Sequence, residues 1–117
     1  MIDQTTRKGT TMERKEYNGW TNYETWVVAL WMDNEQGSCD FWAEEAQDAY
    51  NHADADSTFT KLERATLTLA TGIKEHHEEN TPTVVGAYAD LLNAALSEVD
   101  WHEIAAHLME NVDQDAE

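Results

Sequence analysis

Apolar positions begin to recur with a helical rhythm just after Tyr17. Tyr23, Trp26, Val27, Leu30 and Trp31 follow the 3/4 spacing of one helical face. Thr21-Asn22-Tyr23-Glu24 precedes them and reads as a capping box, with Thr21 at N-cap and Glu24 at N3. Val28, Ala29 and Met32 add apolar character on the other side, which predicts a widely buried helix ending near Glu35 and stopped by Gly37. A second helix is expected from Ser38 or Asp40 to about Ala53. Its stripe is Trp42, Ala46, Ala49, Tyr50 and Ala53, with Asp40, Glu44 and Asp48 opposite.

Asp54-Ala55-Asp56-Ser57 reads as link and cap. A third helix, roughly Thr58 to Glu79, turns Leu62, Ala65, Leu69 and Ile73 inward, and Gly72 weakens it by about 1 kcal/mol relative to alanine. Thr81-Pro82 is expected to open a fourth helix burying Val84, Tyr88, Leu91, Leu92, Ala95 and Val99. Asp100 caps a fifth, whose stripe is Ile104, Ala105, Leu108, Met109 and Val112. The pattern shows no repeat and no strand pair joined by a hairpin signal. It predicts an all-α, single-domain bundle of four or five helices over residues 17–113. Residues 1–16 are expected to form a flexible arm, and 114–117 a frayed tail.

Charge changes this picture most. The chain has 24 Asp and Glu against seven Lys and Arg, a formal net charge of −17. Four of the cations (Arg7, Lys8, Arg14, Lys15) and three of the acids (Asp3, Glu13, Glu16) precede Tyr17. The folded body therefore sets 21 acids against Lys61, Arg64 and Lys74, about −18. Such a field repels itself and excludes direct binding to nucleic acid, which requires a cationic surface. Cys39 is the sole cysteine, so no internal disulfide or cysteine metal cluster forms. No apolar run approaches the ~20 residues of a membrane span, and no apolar leader opens the chain, so a cytoplasmic location is expected.

The segment from Tyr17 through Asn22-Tyr23-Glu24-Thr25-Trp26 to Leu30-Trp31-Met32-Asp33-Asn34 resembles a family of small uncharacterised acidic proteins with an N-Y-E-T-W signature. Those proteins come from phages, plasmids and microbes, halophilic archaea among them. The stretch from Asp90 to Ala106 is similar to that family's C-terminal part. The resemblance implies no established activity or catalytic residue. Its association with mobile elements points toward a role against host defence.

The candidate chemistry is electrostatic. Asp40, Glu44 and Asp48 climb one helix face in steps of about 6 Å, comparable to phosphates along a strand. Asp33, Glu35, Asp54 and Asp56, together with Glu75, Glu78 and Glu79, are candidates to extend that negative surface. The three glutamates also oppose the dipole of their own helix end. A helical scaffold presenting carboxylates this way is suited to occupy a DNA-binding cleft. The alternative is a small helical protein-interaction domain whose acidity is adaptation to high salt.

At helical spacing the five tryptophans are expected to be core in at least four cases, rather than a ligand platform, with Trp20 as a staple or lid. The five histidines lack the convergent spacing of a zinc site. Cys39, near a helix start, is a candidate for a lowered pKa. No phosphate loop, nucleophile elbow or HExxH motif occurs. The expectation is therefore a non-enzymatic inhibitor from a phage or mobile element, without metal or cofactor. Its partner would be a DNA-binding host protein or a restriction- or CRISPR-type complex, and a homodimer would join two acidic faces.

Overall fold

A computed structural model describes residues 17–115, and the expected arm, 1–16, lies outside them. The described residues form five helices: α1 (Tyr23–Asn34), α2 (Gln36–His52), α3 (Lys61–Glu79), α4 (Ala87–Ser97) and α5 (Trp101–Met109). The all-α bundle is as the apolar pattern predicts. Its core joins Met32 of α1, Trp42, Ala46 and Tyr50 of α2, Ala65, Leu69 and Ile73 of α3, and Ile104, Ala105 and Met109 of α5. The expected stripes of α2, α3 and α5 are the faces that pack. Gly72 sits exposed within an uninterrupted α3.

Helix α1 departs from expectation in both cap and face. Its N-cap is Asn22, not Thr21, and the Asn22 side chain accepts from the Thr25 amide at 2.9 Å. Thr21 instead donates its amide to Glu103 Oε1 at 3.1 Å. The buried positions are Thr25 and Met32, with Val28 and Ala29 packed beside them. Tyr23, Leu30 and Trp31 point outward, Trp31 with 65% of its surface exposed. Both faces are apolar, so periodicity alone does not choose between them. The choice follows from Thr25, whose Oγ1 accepts the Asp100 amide at 2.9 Å, and from Asn22, whose Nδ2 donates to Glu98 O at 2.7 Å. These two bonds pin the 25/28/29/32 side against the α4–α5 junction.

Gly37 is not a stop. The backbone turns at Glu35, and α2 has already begun at Gln36. Helix α3 starts later than expected, because Thr60 and Glu63 form a reciprocal capping box at 3.0 and 2.9 Å. Asp56 shapes the approach by accepting from the amides of Thr58 (2.9 Å) and Phe59 (2.7 Å) while it pairs with Arg64. These donors, the loop amides first and then the guanidinium, lower its pKa below the usual 3.8. A depressed carboxyl stabilises the fold above its unfolded pKa and loses that contribution as pH falls through the folded value. Urea unfolding of Asp56→Asn should accordingly show a flatter fall in stability below about pH 4 than the parent chain.

The largest departure is α4. Thr81 does not cap it, because its hydroxyl donates to His77 O at 2.7 Å and so closes the end of α3. Residues 81–85 run without regular structure, consistent with the stiffness of adjacent Val84 and Val85. Helix begins only after Gly86, whose φ of 64° suits glycine. No residue of α4 itself is buried; Tyr88 is 74% and Leu91 66% exposed, and of the expected face only Val99, beyond the helix end, enters the core.

Candidate functional site

Helices α2 and α3 run antiparallel. Lys61, at the start of α3, donates to Ala53 O (3.0 Å) at the end of α2 and lies 4.7 Å from the Tyr50 ring centroid. At the other end, His76 of α3 meets Trp42 at 5.1 Å and Phe41 at 6.0 Å between ring centroids. This packing sorts the ten candidate acids. Asp40, Glu44 and Asp48 line the outer face of α2, all exposed. Exposed Glu75, Glu78 and Glu79, in the last turns of α3, lie at the end where α2 begins, near the α1–α2 junction that carries Asp33 and Glu35. Asp54 and Asp56 stand at the opposite end of α2, about 20 Å from Asp40 by helix rise.

The two ends differ in charge balance. Two of the body's three cations, Lys61 and Arg64, sit at the Asp54–Asp56 end and are engaged there: Lys61 with backbone carbonyls, Arg64 with Asp56 and the Phe59 ring at 4.8 Å. At the other end, among the described residues, Lys74 is the one lysine or arginine beside Asp33, Glu35, Asp40, Glu44, Glu75, Glu78 and Glu79. Among the described residues, Arg64–Asp56 is the one lysine- or arginine-to-carboxylate ion pair. Asp56 is therefore a loop-shaping residue, whereas seven of the ten form an acidic end.

A groove of about 410 Å³ opens between α1, α2 and α5. Trp20, Trp26 and Trp42 contribute to its walls, Leu30 and Leu108 add aliphatic surface, and Asp33 supplies a carboxylate. Sequence reasoning missed this site by assigning the tryptophans to the core. Trp42 is buried and Trp20 and Trp101 pack against the core, but Trp26 lines the groove and Trp31 faces outward, so three rather than four are core. A legible signal was Asn18-Gly19. These two residues take positive φ (51° and 94°) in a turn closed by reciprocal Tyr17–Trp20 backbone bonds of 3.2 and 2.8 Å. That turn seats Trp20 over His107 of α5 at 5.0 Å and Tyr17 against Tyr23 at 5.5 Å.

Cys39 borders the groove, and its pKa moves opposite to expectation. Its thiol donates to Asp33 Oδ1 at 3.2 Å; that bond, partial burial and the charges of Asp33 and Asp40 all raise it above the usual 9.0. The neighbouring carboxylates outweigh any effect of the helix start. Iodoacetamide should thus modify Cys39 more slowly than a free cysteine peptide at pH 8, and Asp33→Asn should speed the reaction. His76, His77 and His107 act as ring partners: His77 donates Nδ1–H to Ile73 O (2.9 Å) and packs between Trp42 and Trp101. Among the described residues no group of three or more His, Cys, Asp or Glu is placed to hold a metal, and no helix is long and apolar enough to cross a membrane.

Residues 13–115 match a family described as "Family of unknown function (DUF7249)", and the chain belongs to that family. Neither the curated proteins nor the solved structures contain a match.

Proposed function

We propose that this protein is a non-enzymatic DNA mimic, encoded by a phage or mobile element, that blocks the DNA-binding cleft of a restriction- or CRISPR-type host complex in the host cytoplasm. The observation that carries this reading is the asymmetry of the α2–α3 pair. Lys61 and Arg64 are engaged at one end, and seven candidate acids gather at the other with, among the described residues, only Lys74 as a lysine or arginine beside them. A rigid pair of helices holds those carboxylates in fixed rows, which favours complementarity to a cationic channel. Inhibition then follows from occupancy, without turnover.

The test is competition. Purified protein should displace duplex DNA from its effector at near-stoichiometric ratios, and displacement should fade as salt rises through the ~0.1–1 M range, where screening tightens. DNA binding untouched by an excess of the protein at low salt would sink the proposal. A second reading, adaptation to high salt, is favoured by exposed acids away from this end, such as Glu63, Asp90, Glu98 and Glu110. On that reading the melting temperature climbs over the same salt range and no competition is seen.

A further inference from the structure

The groove between α1, α2 and α5 has core residues (Met32, Trp42, Ile104) for its floor, and it lies apart from the acidic rows of α2 and α3. Asp33 nevertheless belongs both to its wall and to the acidic end of the bundle. Asn22 and Thr25 of the first helical turn are committed to backbone bonds, but Trp26 beside them is left to line this opening. We infer that the groove seats an arginine side chain of the partner protein. This rests on the preceding reading only for where the arginine comes from.

Four features select that chemistry. The indoles of Trp20 and Trp26, both only partly buried, present π surface at the opening, which attracts a cation, and guanidinium in particular stacks on aromatic faces. Leu30 and Leu108 offer aliphatic wall for the methylene stem of the side chain. Asp33 supplies the counter-charge, and its hydrogen bond from Cys39 engages Oδ1 and holds the carboxylate at the groove edge. The body's charge of about −18 draws cations toward the opening and repels anions. A volume near 410 Å³ lies within the range of sites that enclose small ligands, ample for one side chain with water. Lysine fits less well, because its ammonium is more strongly hydrated and lacks a planar face to stack.

The experiment titrates the full chain, labelled at indole nitrogen, with N-acetyl-argininamide at ~0.1 M salt, using the neutral isostere N-acetyl-citrullinamide as control. The indole N–H signals of the groove tryptophans, Trp20 and Trp26 above all, should shift saturably with the arginine compound and far less with citrulline, while Trp31 and Trp101 stay put. Asp33→Asn, which keeps an acceptor for Cys39, should weaken binding about three- to fivefold; Asp90→Asn on α4 removes the same charge and should not. Trp26→Leu should abolish the saturable shift while a dispersed spectrum reports an intact fold. Absence of shifts, equal shifts with citrulline, or equal weakening by Asp90→Asn would overturn the inference. Arginine binding without DNA competition would defeat the mimicry reading alone, and competition without arginine binding would defeat this one alone.

Discussion

Replacing Asp40, Glu44 and Asp48 together by lysine should abolish competition with DNA while leaving the helical content intact. The substitution carries the net charge from −17 to about −11 and reverses the sign of the outer face of α2. All three side chains are exposed, opposite the buried Trp42, Ala46 and Tyr50, so packing is untouched. Exposed substitutions of this kind usually alter stability within about 0.5 kcal/mol. Here relief of self-repulsion should make the variant slightly more stable at low salt. The decisive measurement is displacement of DNA from the effector at ~0.1 M salt, beside a melting curve for each protein. Inhibition that survives the reversal would remove the outer face of α2 from the interface and leave Asp33, Glu35 and the glutamates of α3 as the remaining candidates of the acidic end.

Ile73→Ala should be the most damaging single change to the fold. Ile73 is completely buried where α3 meets the other helices of the core. Truncating a buried isoleucine costs about 2–5 kcal/mol, through lost burial and the cavity left behind. A domain of this size commands only about 5–15 kcal/mol in total, and this one folds against its own charge. The variant should therefore be substantially unfolded at low salt and recover helicity near ~1 M salt, as screening weakens the repulsion. Circular dichroism with urea titration at both salt levels checks this. Leu91→Ala provides the contrast, since Leu91 lies exposed on α4 and its loss should fall within about 0.5 kcal/mol of neutral. A comparable loss for both variants would mean that α4 packs more tightly than its exposure indicates.

The apolar rhythm specified the bundle because α2, α3 and α5 each carry one unambiguous stripe. In α2 the acids Asp40, Glu44 and Asp48 fall opposite Trp42, Ala46 and Tyr50, so only one orientation avoids burying charge. Helix α1 lacks that contrast. Its two apolar faces compete, and long-range bonds from Asn22 and Thr25 to the α4–α5 junction decide between them. Helix α4 fails for the converse reason: its stripe is regular, yet no other helix closes over Tyr88 and Leu91. Turn chemistry is legible at Asn18-Gly19, but no alternating strand pattern flanks it, and the turn closes a single bridge between Tyr17 and Trp20.

The acidic candidates divide along the same line. Their number and the scarcity of cations are properties of composition, and each exposed acid could be placed on its own helix by counting residues. Only the antiparallel docking of α2 on α3 decides that Asp40 and Glu44 share an end with Glu75, Glu78 and Glu79, while Asp56 is drawn off to Arg64 and the loop amides. The tryptophan groove is likewise tertiary, since Trp20, Trp26 and Trp42 come from a turn and two different helices. By itself the sequence determined the helices and their burden of negative charge, because periodicity and composition are local and additive. The tertiary structure decided which carboxylates act together and which aromatics remain accessible, because both depend on contacts between residues far apart in the chain.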